Sequence, residues 1–157
     1  MNRFVYIVVI LSFLCIGHGA DAQESDTPVA DIVRIYKGER GTRELVASGT
    51  RLNMVRVFIK RTPVGPVADD ITELSVLKMQ NADDSVKEAF VRDLRDALKP
   101  YQYIGIEESP NGPVEVYVLL ESSDEVLEMI VYNAEIFSLN CLYGPFSADS
   151  LRKLSTK

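Results

Sequence analysis

Histidine, cysteine and tryptophan are nearly missing from this sequence, and their scarcity removes whole classes of chemistry. The 157 residues hold no tryptophan, one histidine and two cysteines. His18 and Cys15 precede a predicted cleavage site after Ala22, so the mature chain keeps Cys141 as its one cysteine. A Ser-His-Asp triad, a Cys-His pair and an imidazole zinc site are therefore excluded, and no internal disulfide can form.

The first residues have the three parts of a secretory signal peptide. Arg3 supplies a positive start, residues 4–16 form an almost unbroken apolar run, and Ala20 and Ala22 are the small residues that a signal peptidase reads. The apolar run is shorter than the roughly 20 residues that span a bilayer, which argues against a retained anchor. We predict a signal peptide over residues 1–22, and a mature protein of the periplasm or the medium with no stable membrane anchor.

The chain that follows cleavage has the size of one domain. Removal of 22 residues leaves 157 − 22 = 135, and we predict a flexible leader over residues 23–27 and a single α+β domain over residues 28–157. The net charge is −6, and it stays −6 after cleavage because the signal removes one base, Arg3, and one acid, Asp21. An acidic surface repels phosphate backbones, so nucleic acid is not a predicted partner.

Apolar spacing predicts a definite order of helices and strands. The predicted helices cover residues 28–37 and 85–99, with a closing helix from Ser147. The predicted strands cover residues 44–48, 71–79, 101–108, 114–121, 126–132 and 136–143. Residues 62–70 are a predicted loop, whereas residues 51–61 fit a helix and a strand equally well. Strands concentrated in the second half predict an α+β fold, an antiparallel sheet with helices packed on one face.

The helix over residues 85–99 has the most specific signals. Ser85 and Glu88 have the spacing of a capping box, and Pro100 cannot continue the helix. Phe90 and Leu94 belong to a single apolar stripe, so we expect both to be core residues.

Turn residues and alternation predict a hairpin next along the chain. Asn111 and Gly112 tolerate positive φ between the two predicted strands. In the second strand one face carries four apolar residues, which are Val114, Val116, Val118 and Leu120.

The element order and several local patterns resemble a known family. The segments are "YKGERGTRELVASG", "ITELSVLKM", "YVLLESSDEVLEMIVYNAEIFSL" and "FSADSLRKL", and the likeness covers nearly all of the mature chain. The chain resembles a family of small exported bacterial proteins, catalogued as domain of unknown function forty-two fifty-two. The resemblance implies an origin in Gram-negative bacteria and a role in envelope signalling, and it transfers no catalytic residue.

The remaining candidates for chemistry have structural explanations. Cys141 alternates with apolar neighbours, so we predict a core thiol. Tyr101 and Tyr103 are interpreted as sheet packing rather than a binding edge. Four acidic pairs are interpreted as solvated turns and helix starts. These pairs are Asp69-Asp70, Asp83-Asp84, Glu107-Glu108 and Asp124-Glu125.

No catalytic, cofactor-binding or metal-binding residue is therefore assigned, and no cofactor is predicted. The first functional hypothesis is a non-catalytic binding module for a protein partner in the cell envelope, which presents a sheet face, an edge strand or the loop over residues 62–70. A small hydrolase with an unrecognised dyad and an assembly subunit that pairs through an exposed strand are the alternatives. A concave pocket with convergent polar groups would favour the enzyme, and a free, unprotected edge would favour binding or assembly.

Overall fold

A computed structural model describes residues 26–60, 65–107 and 111–152 of the chain. The helices are α1 (Pro28–Tyr36), α2 (Gly49–Ile59), α3 (Asp84–Ala97) and the short α4 (Ala148–Arg152). The strands are β1 (Arg43–Ser48), β2 (Glu73–Lys78), β3 (Gln102–Glu107), β4 (Val114–Leu120), β5 (Glu125–Asn133) and β6 (Ser138–Ser147). The predicted signal peptide and residues 23–25 of the predicted leader lie outside the described residues. Among the described residues, no helix has the length and apolar character needed to cross a membrane.

All strands belong to one open antiparallel sheet in the order β1-β2-β6-β5-β4-β3. The prediction of an α+β fold with an antiparallel sheet is therefore confirmed. β1 and β3 are the two edges, while β6 and β5 lie at the centre.

Two apolar core groups lie on opposite faces of this sheet. Leu139 and Cys141 of β6 pack with α1 and α3, whereas Leu142, on the opposite face of the strand, packs with α2. Helices α1 and α3 cover one face as predicted. Helix α2 covers part of the other face, so the sheet is enclosed on both sides near β2 and β6.

Helix α1 begins and ends close to its predicted bounds. Thr27 is the N-cap, and its hydroxyl oxygen accepts a hydrogen bond from the Ala30 N–H at 3.2 Å. Pro28 occupies the first helical position, and Lys37 is the C-cap instead of the last helical residue.

The ambiguous residues 51–61 are helical as far as Ile59, within α2. Leu52, Val55 and Ile59 are buried on one side, while Met54, Val57 and Phe58 are exposed. Because both sides carry apolar residues, the sequence pattern fitted both the helical and the strand period, and contact with the sheet selects the helix.

In the predicted loop, Gly65–Val67 is a short 3₁₀ helix and Val67 and Ala68 are fully buried.

Helix α3 confirms the predicted core stripe and corrects the predicted cap. Phe90 and Leu94 are 0% and 1% exposed. The N-cap is Asp83, two residues before Ser85, and its side chain makes no capping hydrogen bond. The capping-box prediction was wrong because Asp83 takes the extended conformation itself, which places Ser85 inside the helix.

The hairpin of β3 and β4 is confirmed, with Gly112 at φ +93° in the turn. Val114 and Val118, two residues of the predicted apolar face, are buried, but Leu120 is 46% exposed. The register between β4 and β5 shifts at Leu119 and Leu120, so alternation fails at that end of the strand.

Strand β6 extends beyond its predicted end. Gly144 lies inside the strand at φ +153°, where the pattern had predicted that the strand stops at Tyr143. The closing helix starts at Ala148, one residue after the predicted Ser147. Phe146 belongs to the α2 side of the core, and Leu151 of the final helix packs against it.

Candidate functional site

A buried carboxyl group occupies the centre of the sheet. Glu128 of β5 is 0% exposed. It is the one acidic or basic residue among the buried polar residues that the structure describes. Acidic side chains are almost never fully buried without partners, so this position requires a physical explanation.

Irregular pairing directs Glu128 into the α1 and α3 side of the core. Val126, two residues earlier, packs on the opposite face, although residues two apart share a face in a regular strand. Val126 pairs with Phe146 and Glu128 pairs with Tyr143, so β6 has one residue more than β5 in this interval. This bulge turns the Glu128 side chain towards α1.

Hydroxyl groups from distant parts of the chain surround the carboxyl. The Tyr101 hydroxyl donates a hydrogen bond to Glu128 Oε2. The backbone N–H of Val29, in the first turn of α1, lies beside the same tyrosine oxygen. Thr27 and Tyr143 place their hydroxyls beside the carboxyl as well. We call Thr27, Tyr101, Glu128 and Tyr143 the Glu128 cluster.

The electrostatics of the cluster favour the neutral carboxyl. Burial raises the pKa of Glu128, and the hydroxyls of Tyr101, Thr27 and Tyr143 oppose this rise only in part. No cation contributes to the shift. Oε1 is buried and has no hydrogen-bond partner in the described part of the chain. A carboxylate would therefore lack charge compensation, whereas a carboxylic acid is tolerated.

Cys141 is a core residue, as predicted. The thiol is fully buried, and burial raises its pKa well above the ordinary value, with the nearby Glu128 carboxyl acting in the same direction. A thiol held in its neutral form is a poor nucleophile, so Cys141 serves packing in this structure.

The acidic pairs that the structure describes lie at the surface or on its margin. Asp69 is exposed and bonded to Lys60 at 2.7 Å, and Asp84 lies 3.6 Å from Lys87. The side chains of Glu107 and Glu108 lie outside the described residues. Within the described ranges, no group of three or more histidine, cysteine, aspartate or glutamate side chains is arranged to hold a metal ion.

A second polar group lies at the surface between α3 and β4. The Arg95 guanidinium donates two hydrogen bonds to the Glu115 carboxylate, at 2.6 and 2.9 Å. It also donates to the Tyr117 hydroxyl at 2.7 Å, and that hydroxyl donates to Glu115 at 2.5 Å. The hydrogen bonds from Arg95 lower the pKa of Glu115, and burial raises the pKa of Tyr117 to about 12. The three groups hold one another in fixed orientations.

This polar group adjoins an exposed apolar strand edge. Tyr103, Ile104 and Ile106 of β3 are 50%, 48% and 59% exposed, and we call these three residues the β3 edge. The Tyr103 ring packs against Tyr117 with centroids 5.3 Å apart. The sheet-packing interpretation thus holds for Tyr103, but half of its side chain remains open to solvent.

Ile104 is an extra residue in its strand, because Tyr103 pairs with Tyr117 while Gly105 pairs with the adjacent Val116. Ile106 pairs with Glu115. We call Arg95, Glu115 and Tyr117 the Arg95 group. Since cross-strand partners share a face, Tyr103 and Ile106 lie on the same face as Tyr117 and Glu115 of this group.

Sequence reasoning missed Glu128 and the Arg95 group. The signal for Glu128 was an acid with apolar residues on both sides in β5, "EVLEMIVYN". The pairing of Arg95 with Glu115 had no local signal, because the two residues are 20 positions apart on different elements.

Comparisons with protein-family models, with curated proteins and with solved structures found no match for this chain. The resemblance to domain of unknown function forty-two fifty-two therefore stays a prediction.

Proposed function

We propose that this protein is an exported, non-catalytic interaction module that binds an extended segment of a partner protein along strand β3. The observation that carries the proposal is the β3 edge, an apolar strand at the end of the sheet with its large side chains open to solvent. An edge strand offers unpaired backbone N–H and C=O groups to an added strand.

The two edges of the sheet differ in their protection. β1 starts with Arg43 and Glu44, and its large apolar residues are not exposed. Charged residues and a covering helix are common means of blocking an edge, and α2 follows β1 directly. β3 exposes three large apolar side chains and has neither Lys nor Arg in its sequence, "QYIGIE". Its one charged residue is Glu107 at its end, and the bulge at Ile104 leaves Ile104 and Ile106 exposed.

The β3 edge makes no contribution to either core group. None of the residues of Gln102–Glu107 belongs to the apolar core on either face of the sheet. Fold stability thus does not explain why Tyr103, Ile104 and Ile106 are apolar. Contact with a partner explains it, because burial of exposed apolar surface favours association.

The Arg95 group gives the edge one rigid wall. Tyr103 and Ile106 share a face with Arg95, Glu115 and Tyr117, so an added strand would place alternate side chains on this wall. The chain carries a net charge of −6, which favours a partner segment with neutral or basic flanks over an acidic one.

The proposal is tested by placing charged residues on the β3 edge and measuring whether partner binding is lost. We expect the purified wild-type protein to capture a partner from an envelope extract, and the double variant Ile104→Lys/Ile106→Lys to lose it, because lysine blocks strand addition. Val57→Lys is the matched control, since Val57 is 54% exposed on α2, which packs at the other end of the sheet. Capture measured by mass spectrometry that is equal for both variants contradicts the proposal, provided that circular dichroism shows both to be folded.

The assembly alternative uses the same edge with a second copy of the chain. Sedimentation velocity separates the two hypotheses, because self-pairing gives a concentration-dependent dimer that Ile104→Lys/Ile106→Lys abolishes. The hydrolase alternative has no supporting feature in the described part of the chain, where the Glu128 cluster is enclosed. It stays a prediction.

The mass of the protein recovered from cells tests the predicted cleavage of the signal peptide. We expect the intact mass of protein recovered from the periplasm to correspond to a chain that starts at Gln23, because the small residues before that position fit a signal peptidase. Retention of residues 1–22 in the membrane fraction would show that the apolar run is an anchor.

A further inference from the structure

The Glu128 cluster connects the N-terminal end of α1 to the centre of the sheet. Tyr101 is the bridge, because its hydroxyl donates to Glu128 and lies beside the Val29 backbone N–H. Thr27 contacts the carboxyl from the N-cap of α1. The first amides of a helix have no partner inside the helix, so these contacts also satisfy the start of α1.

The parts of the cluster differ in how freely they can move. Glu128 and Tyr143 lie on β5 and β6, and each of these strands is paired on both sides. The C-terminal end of α1 is tied to α3, since the Tyr36 hydroxyl donates to Asp93 at 2.6 Å and the Tyr36 ring meets Phe90 edge-on. The first turn of α1 is held by the cluster and by Val29, which is fully buried in the core on this face, so displacing this turn exposes Val29 while it lets water reach Glu128.

We propose that the Glu128 cluster is a proton-controlled latch on the N-terminal end of α1, closed while the Glu128 carboxyl holds its proton and opened when the proton is lost. A charged carboxylate enclosed without a cation is unfavourable, and opening the first turn of α1 lets water solvate it. The latch is independent of the partner-binding function proposed above.

The direction of the pH effect follows from linkage. The pKa of Glu128 is raised above its ordinary value of 4.5 in the closed state and returns towards that value on opening. The closed state is therefore fully favoured below pH 4.5, and its advantage is lost as the pH rises through the closed-state pKa. The other titratable groups beside Glu128 are Tyr101, Tyr143 and Cys141, and burial raises the pKa of each, so they stay neutral over this range.

Hydrogen exchange at the two ends of α1 tests the latch. The Asp31 amide, bonded to Thr27 O, reports the first turn, and the Lys37 amide, bonded to Val33 O, reports the tied end. We expect the exchange rate of Asp31 relative to Lys37 to rise above pH 4.5, about tenfold for each unit by which the closed state raises the pKa. The ratio cancels the intrinsic pH dependence of exchange.

Two variants make the result decisive. Glu128→Gln keeps the shape without a titratable proton, so its Asp31 to Lys37 ratio should be independent of pH. Tyr101→Phe removes a hydroxyl that lowers the closed-state pKa of Glu128, so the rise should still begin near pH 4.5 but continue to a higher pH. A wild-type ratio that is flat with pH overturns the proposal, as does a pH-dependent ratio that persists unchanged in Glu128→Gln. If Glu128→Gln does not fold, a rise that ends at the same pH or at a lower pH in Tyr101→Phe overturns it.

Discussion

Phe90→Ala is expected to lower the free energy of unfolding by about 3–5 kcal/mol, the range for removal of a fully buried phenylalanine. The ring is 0% exposed and lies between two tyrosines of different elements. Its centroid is 5.3 Å from that of Tyr36 on α1 and 6.1 Å from that of Tyr132 on β5. Truncation thus leaves a cavity where α1, α3 and the sheet meet, and neither neighbour can fill it without leaving its own contacts.

Urea unfolding followed by circular dichroism measures this effect. Glu88→Ala is the matched control, because Glu88 is exposed on the same helix and ordinary surface substitutions change stability by less than about 0.5 kcal/mol. Leu94→Ala, one turn further on and 1% exposed, is expected to lose about 2–5 kcal/mol. A Phe90→Ala protein as stable as Glu88→Ala would mean that α3 presents another face to the sheet.

Helix α3 illustrates what the sequence could predict. Phe90 and Leu94 are four residues apart on a helix whose other faces are polar, so local spacing alone identified the buried stripe. The start of the same helix was predicted less well. Asp83, Asp84 and Ser85 are all residue types that favour a helix start, and the choice among them depends on where the preceding chain leaves the sheet.

The candidate site could not be predicted because its members meet only through tertiary structure. Thr27, Tyr101 and Glu128 come from three distant parts of the chain. Strict alternation would also place Glu128 on the same face as Val126, and the bulge that separates them depends on the pairing of β5 with both β4 and β6. The same limit applies to the β3 edge. The hairpin was predicted, but the strand order that leaves β3 at the end of the sheet follows from long-range pairing.

Gly144→Ala tests that bulge, and we expect it to lower the free energy of unfolding by at least about 2 kcal/mol. A Cβ atom at position 144 would lie 2.0 Å from the backbone oxygen of Asp70 and 3.2 Å from the Thr72 nitrogen. Neither atom belongs to a flexible side chain, so the backbone itself must shift. Overpacking of this kind costs about 1–3 kcal/mol. The φ of +153° adds about 1–3 kcal/mol of strain for a residue with a side chain.

Gly105→Ala is the control, because Gly105 also lies in a strand beside a register shift. A Cβ there would meet nothing within 4 Å, and its φ is not positive. We expect that variant to be neutral or stabilised by about 0.4–1 kcal/mol through a less flexible unfolded chain.

Tyr143, the residue before Gly144, connects this position to the Glu128 cluster. Its backbone oxygen accepts a hydrogen bond from the Thr72 N–H at 2.8 Å, and its hydroxyl lies beside Glu128. Equal urea midpoints for Gly144→Ala and Gly105→Ala would show that strand β6 does not need glycine at position 144.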